Sequence, residues 1–242
     1  MSSARPQLGW TLDYRMHLLS LYETLPFENH PLWEAILNGK LSLQQVLKAE
    51  IQHYIRTKAG QSLRGEALER ARGFSPKLFE ALLATYLEEC TSEKSGASHL
   101  DLIKKLLLHG GVPEEELDSA KPTPGNSAAI ALYRDISARG AACHMLGAGV
   151  VEFYYSKISP QIFDAYTLRY GMTKDQAETY ALHGSMDQVH AERALSILDD
   201  AVKFHGWTTI EQSVRDALVA TSLHYDGMLQ AATGNINYWN GE

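Results

Sequence analysis

The segment TKDQAETYALHGSMDQVHAERALSILDDAVKFHG, residues 173–206, indicates which kind of fold this chain adopts. Its apolar residues recur at helical spacing and a glycine ends the pattern, so we predict one long helix. The same pattern occurs in five further segments, residues 42–60, 75–90, 97–111, 127–156 and 209–232. Strand-like alternation is almost absent. The sequence therefore predicts an all-α bundle of about seven or eight helices, with residues 1–242 forming a single domain.

Composition limits the class of protein. The chain has 242 residues, of which 45% are hydrophobic, so it can bury one sizeable core. A formal net charge of −7 and the lack of a basic run argue against a nucleic-acid partner or an anionic membrane surface. The most apolar stretch, residues 140–155, is too short to span a bilayer. Two cysteines form no disulfide framework, so we expect a cytoplasmic protein. From the charge and the apolar stretch, we expect it to bind neither nucleic acid nor membrane.

Three polar residues of the first segment, His183, Asp187 and His190, lie on one side of the predicted helix. Each helical residue advances by about 100°, so the three fall within a stripe of about 60°. Tyr180 and Leu198 share this stripe, which places the trio in the interior, where polar groups need partners. Two interpretations remain open: a hydrogen-bonded polar network, or a metal site, since imidazole and carboxylate bind iron, manganese and zinc.

Further ligand-type residues lie on other predicted helices. Glu152 is an isolated carboxylate in an apolar run, and its alternative role is an ion pair with an arginine. Glu88 and Glu89 end one predicted helix, and either is a candidate ligand. His99 enters the next helix on an apolar face. Carboxylates and histidines from facing helices are how di-iron and di-manganese bundles are built.

The segment of residues 42–60 adds polar candidates of a different kind. Glu50 and His53 lie on its inward side, either as further ligands or substrate contacts or as satisfied polar groups of the core. Arg56, or Arg64 just beyond, has the planar geometry that suits a substrate carboxylate, and solvation at the surface is the alternative.

The spacing His-x3-Asp-x2-His, with a glutamate about thirty residues earlier and a Glu…His pair earlier still, resembles that of the haem-oxygenase-like di-iron oxidases and oxygenases. The resemblance covers most of the chain. It is strongest to the group of chlamydial death-domain-associated proteins, whose fold is shared with TenA and pyrroloquinoline-quinone synthase. It implies two iron ions per chain, with manganese as the alternative metal and O2 as co-substrate. It carries six ligands over to this chain: Glu89, His99, Glu152, His183, Asp187 and His190.

The resemblance also implies an activity, which is the O2-dependent oxidation of a small, amino-acid-like substrate in biosynthesis by N-oxygenation, C–C cleavage or nitrile or alkene formation. Glu152 is the expected bridging and catalytic carboxylate, and Glu50 is a second catalytic candidate. Trp33 stands where para-aminobenzoate-forming members carry a tyrosine that they consume, which favours an external substrate. We expect a homodimer. Three glycines are expected to leave space for O2 or substrate, Gly147, Gly149 and Gly184.

Two alternatives keep the fold without the metal. A thiaminase II-type hydrolase or a cofactor-independent oxidase shares this architecture, and Cys143 would be the nucleophile of the hydrolase, with a small core residue as its other role. A non-enzymatic interaction protein is a third class, but it leaves the inward trio unexplained. Activity that survives a strong chelator and is lost in Cys143→Ser would favour the hydrolase.

Overall fold

The computed structural model describes residues 8–73, 75–92 and 96–235. Over these ranges the chain forms eleven α-helices and no strand, so the prediction of an all-α fold is confirmed, with more helices than expected. Within the same ranges, none of the helices combines the length and apolar character needed to cross a membrane. The helices are α1 (Leu8–Ser20), α2 (Pro31–Leu37), α3 (Leu43–Ala71), α4 (Pro76–Glu89), α5 (His99–His109), α6 (Glu114–Ser119), α7 (Pro124–Arg139), α8 (Ala141–Leu168), α9 (Glu178–Leu195), α10 (Leu198–His205) and α11 (Trp207–Thr233).

Serine side chains determine where three of these helices begin. Ser42 Oγ accepts a hydrogen bond from the amide of Gln45, whose side chain accepts one from the Ser42 amide, and this capping box begins α3. Ser75 caps α4 just before a proline. Ser98 caps α5 in the same manner, which fixes where His99 enters the bundle.

The helix predicted over residues 127–156 is divided at Gly140, which separates α7 from α8. Gly140 has a φ of +154°, which glycine adopts readily and other residues rarely do. A Cβ atom at this position would stand 2.6 Å from the ring of His205, so the break also makes room for a side chain of α10. The prediction of a single helix was therefore wrong at this glycine, and α8 continues to Leu168, beyond the predicted end.

The helix predicted over residues 173–206 is also divided. Thr173 Oγ1 accepts a hydrogen bond from the Gln176 amide at 3.0 Å, so the first residues form a turn and α9 begins only at Glu178. At the other end, Lys77 binds the carbonyl oxygen of Ser196, and the chain turns before α10 begins. Helical periodicity continues through both places, which is why the sequence pattern did not show the breaks.

Close helix packing positions the interior. The helix α8 lies along α9, and α11 lies along α7, α3 and α8. A Cβ atom at Gly149 would stand 2.3 Å from the Cβ atom of Ala194, so α8 and α9 approach closely there. Gly184 lies against Pro160, to which an added Cβ atom would come within 3.2 Å. These two glycines therefore allow helix contact, and the prediction that they leave space for substrate was wrong for both.

Candidate metal and substrate site

The six predicted ligands come from four helices that meet in the interior. The trio of α9 is buried, with His183 8%, Asp187 1% and His190 2% exposed, as the helical stripe predicts. The other three come one each from α4, α5 and α8, which supply Glu89, His99 and Glu152. The contacts described below link all six residues into one cluster.

His99 and His183 form the centre of this cluster. Their Nε2 atoms lie 3.0 Å apart, while Nδ1 of His99 lies 3.1 Å from Glu89 and Nδ1 of His183 lies 2.8 Å from Asp187. Burial opposes a charge on His183, but the Asp187 carboxylate outweighs it and raises the pKa of His183 to about 9. Burial and the neighbouring His183 charge lower the pKa of His99 to about 3. A proton on His183 Nε2 therefore occupies the space between two potential ligand atoms.

His190 has an unsatisfied nitrogen. Its Nε2 atom lies 3.1 Å from Oε2 of Glu88, which is the natural acceptor for an N–H group. Its Nδ1 atom is buried without a hydrogen-bond partner, 3.6 Å from Oε1 of Glu89 and 3.8 Å from Oε2 of Glu152. A nitrogen lone pair therefore faces two carboxylate oxygens, an arrangement that a cation between them would stabilise.

Glu88 and Glu89 contact opposite sides of His190. Glu89 is buried, and although burial alone would raise its pKa, His99 and Arg64 hold that pKa well below its usual range. Glu88 accepts hydrogen bonds from Arg193 as well as His190, at 2.7 Å and 3.1 Å. Carboxylates that bind the far nitrogen of a metal-binding histidine fix its orientation. Glu89 is thus placed as a ligand candidate, and Glu88 is placed to orient His190.

Arg64 was not predicted as part of the cluster and links two of its carboxylates. Its Nη1 atom lies 3.2 Å from Oε2 of Glu89, and its Nη2 atom donates to Oε1 of Glu152, also at 3.2 Å. The alternative role considered for Glu152, an ion pair with an arginine, is therefore present. Burial still raises the pKa of Glu152 above its ordinary value. Arg64 is bound to protein carboxylates, which leaves it less suited to hold a substrate carboxylate.

The cluster supplies suitable ligand atoms, but they are not gathered around one point. Among the described residues, no group of three or more His, Cys, Asp or Glu side chains stands ready to hold a metal ion. Two atoms of the cluster nevertheless lack partners, Nδ1 of His190 and Oδ2 of Asp187, and both are buried. Buried polar atoms without partners are rare, and an ion or a water molecule bound between them is one explanation. Imidazole and carboxylate donors of this kind fit iron, and side-chain rearrangement would be needed to bind it.

Glu50 and His53 lie behind the cluster. The Glu50 carboxylate is fully buried and accepts hydrogen bonds from the hydroxyls of Tyr166 and Tyr180. Its other oxygen lies 3.0 Å from Nδ1 of His53, whose ring is 5.5 Å from the ring of His99. His53 lines the cavity described below and Glu50 does not. The contacts of Glu50 suit a residue that positions His53.

A cavity of about 100 Å³ adjoins the cluster. Glu89, Glu152, His183 and Asp187 line one part of it. The remaining wall includes Trp33, Arg56, Tyr133, Thr221, His224 and Tyr225. A second cavity of about 90 Å³ shares Arg56, Arg64 and His99 with it and is also lined by Gly147, Cys90 and His144. The candidate ligands thus line one of two cavities that share part of their walls.

Cys143 is not placed as the hydrolase alternative requires. Cys143 is fully buried, lines none of these cavities, and burial raises the pKa of its thiol. A raised pKa keeps a thiol protonated and a poor nucleophile. The structure therefore gives Cys143 the role of a small core residue.

Comparison with known proteins connects this site to a family. Residues 51–223, most of the chain, match the sequence profile of a family described as iron-containing redox enzymes. The chain belongs to this family. The matched region includes all six candidate ligands. No curated protein matches the sequence.

Solved structures of low sequence identity show that this chain has the haem-oxygenase-like fold. A CADD-like protein of unknown function from Nostoc punctiforme gives a TM-score of 0.75 at 16% identity, covering 94% of this chain and 99% of that one. A TenA homolog from Pseudomonas syringae gives 0.73 at 16% identity, covering 90% and 93%. A domain of unknown function with a heme oxygenase-like fold from Shewanella denitrificans gives 0.69 at 19% identity, covering 94% of both chains.

His144 is a half-buried histidine of α8 that leads to a prediction about acid stability. Its Nε2 atom has no hydrogen-bond partner, and burial together with the charges of Arg64 and Arg70 lowers its pKa to about 3. The unfolded chain takes up this proton near pH 6.5 and the folded chain does not, so stability is lost as pH falls from 6.5 towards 3. Between pH 8 and pH 5, we expect the free energy of unfolding of His144→Leu to fall by about 2 kcal/mol less than that of the parent.

Urea unfolding at the two pH values measures this difference. His109→Leu, which removes an exposed histidine at the end of α5, is the matched control and should follow the parent. Equal losses of stability in the parent and in His144→Leu would contradict the prediction.

Proposed function

We propose that this chain is a non-haem dinuclear iron oxidase or oxygenase that uses O2 to oxidise a small, amino-acid-like substrate. The observation that carries the proposal is Nδ1 of His190, which faces carboxylate oxygens of Glu89 and Glu152 without a hydrogen-bond partner. A cation between these groups would remove the repulsion. Membership of a family of iron-containing redox enzymes favours iron, and manganese is the alternative for the same ligands.

Several residues of this chain would serve such a centre. When bound, the metal ions supply the redox chemistry with O2 that protein side chains lack. Glu88 accepts a hydrogen bond at Nε2 of His190 and so keeps Nδ1 directed at the site. Arg64 neutralises part of the carboxylate charge before metal arrives. Six residues would hold the metal ions, Glu89, His99, Glu152, His183, Asp187 and His190.

The substrate would bind in the cavity beside the ligands. Glu152 lines this cavity, so it can exchange a proton with a molecule bound there, and Glu50 would act through His53. Trp33 forms part of the wall and provides no hydroxyl group to be consumed, which supports an external substrate. N-oxygenation, C–C cleavage and nitrile or alkene formation each oxidise the substrate while O2 is reduced.

Anaerobic iron loading followed by exposure to O2 tests the proposal. We expect about two Fe(II) ions per chain, as in other dinuclear centres, and O2 uptake that depends on both iron and an added amino acid. Removal of iron with a chelator should stop the uptake, and reloading should restore it. Catalysis of a hydrolytic reaction in the presence of chelator, with no O2 uptake by the loaded protein, would contradict the proposal in favour of a metal-free hydrolase.

A further inference from the structure

Arg56 is a cation of the cavity wall without an acidic partner. It lines both cavities, and among the described residues no carboxylate forms an ion pair with it. Arg134 and Arg169 also lack such a partner in the part of the chain that the structure describes, but both are exposed to solvent. Arg56 is not exposed, and its guanidinium remains charged at any pH at which the protein is folded. A charge partly removed from bulk water usually has a partner.

Neighbouring side chains hold Arg56 in place without neutralising it. Thr221 Oγ1 donates to the carbonyl of Ala217 at 2.8 Å, so the Tyr133 hydroxyl must donate to Thr221, at 2.6 Å. The hydroxyl oxygen of Tyr133 is then free to accept from Nη2 of Arg56 at 3.2 Å. The Arg56 guanidinium also lies 5.0 Å from the centre of the Tyr133 ring. Tyr133 thus orients one edge of the guanidinium, and the other donors of Arg56 have no described partner.

His224 lies on the same wall as Arg56 and is neutral. The amide nitrogen of Asn126 donates to the carbonyl of Gln52 at 2.9 Å, which identifies the Asn126 oxygen as the acceptor for His224 Nδ1. The proton of the neutral ring therefore lies on Nδ1. Burial and the charge of Arg56 keep the pKa of His224 well below its usual value. Among the described residues, the wall formed by Arg56, Tyr133, Thr221, His224 and Tyr225 therefore carries one fixed positive charge and no carboxylate.

In the part of the cavity lined by the candidate ligands, carboxylates are paired with cations, Arg64 and His183. The carboxylates there are those of Glu89, Glu152 and Asp187. Because these carboxylates already have cationic partners and Arg56 has none that is acidic among the described residues, an anionic group of a bound molecule would be attracted to Arg56. Arginine binds carboxylates through two parallel N–H donors, which adds geometric selection to the attraction of charge.

We infer that Arg56 binds the carboxylate of the substrate and directs the rest of the molecule towards the candidate metal ligands. This inference rests on the proposed function, because it names the class of substrate that the same site would bind. It selects small amino acids or aliphatic acids over amines or alcohols of the same length. Tyr133 is a positioning residue for Arg56.

A binding experiment on metal-free protein tests the inference without turnover. Chelator-treated protein is titrated with hexanoate, L-norleucine and 1-aminopentane, and dissociation constants are obtained from ligand-observed NMR. Metal is left out because a carboxylate could otherwise bind the metal directly. We expect both acids to bind at least about tenfold more tightly than the amine, as a charge-assisted, bidentate contact requires. Failure of iron-dependent O2 uptake would overturn the proposed function but leave this measurement unaffected.

Two substitutions identify the group responsible. Arg56→Gln should weaken hexanoate binding by at least about tenfold, while its circular dichroism and melting temperature show that it is folded. Arg72→Gln removes the same charge from an exposed position just after α3 and should bind hexanoate like the parent. Unchanged hexanoate binding by folded Arg56→Gln would overturn the inference. If that variant does not fold, the ligand series decides: equal or tighter binding of 1-aminopentane to the parent, or no binding of either acid, also overturns it.

Discussion

Replacing His183 with alanine is expected to abolish iron binding at the candidate centre and, with it, iron-dependent O2 uptake. His183 is the residue whose Nε2 atom meets that of His99 and whose Nδ1 atom binds Asp187, so its removal leaves Asp187 without the histidine that it contacts. Loss of a direct ligand should weaken iron binding by more than the roughly 10–100-fold lost when a supporting residue is removed. An anaerobic Fe(II) titration with a colorimetric iron count measures the change.

The matched control for this variant is His109→Ala. His109 is exposed at the end of α5 and contacts none of the candidate ligands in the described residues, so iron binding should remain as in the parent. Because His183→Ala leaves a buried carboxylate unpaired, circular dichroism must show that the variant is folded at the assay temperature. A folded His183→Ala protein that retains the parental iron content would refute the assignment of the site.

Replacing Gly227 with alanine is expected to destabilise the protein by about 3 kcal/mol or more, since overpacking of this kind displaces backbone. A Cβ atom at Gly227 would stand 2.4 Å from the backbone nitrogen of Asn126 and 2.8 Å from Oγ1 of Thr123. Neither helix can yield locally, because α7 and α11 pack together over much of their length. Equilibrium unfolding in urea measures the loss.

Gly60→Ala makes the same chemical change, and we expect it to have the opposite effect on stability. Gly60 lies within α3, and a Cβ atom there would meet nothing within 4 Å. Alanine should stabilise a helix interior by about 0.5–1 kcal/mol relative to glycine. A Gly227→Ala protein as stable as the parent would show that α7 and α11 do not approach as closely as described.

The sequence predicted the parts of the site that depend on helical periodicity. The inward direction of His183, Asp187 and His190 follows from their spacing alone, and burial confirms it. Glu152 was recognisable because a carboxylate in an apolar run needs a partner. The predicted ligand assignments remain predictions, although the structure brings all six residues into one cluster.

Other parts of the site could not be predicted because they depend on contacts between distant segments. Arg64 lies on the same helix as several candidates, but periodicity does not indicate that its guanidinium reaches both Glu89 and Glu152. The sequence pattern also does not show two breaks between helices. The break at Gly140 arises from a glycine conformation, and the break after Leu195 arises from a contact with a lysine of another helix. A glycine within an apolar run was the one signal that could have indicated the first break.

The contact between Gly149 and Ala194 has a consequence for how the protein would respond to metal. It joins α8 to α9 within one turn of both Glu152 and His190, so any opening of α9 separates ligands from different helices. Local opening of α9 and metal release are then linked equilibria, and a bound ion would shift the opening equilibrium towards the closed helix by mass action. Amide hydrogen exchange along α9 would therefore report how much of the centre is occupied, without any spectroscopic signal from the metal.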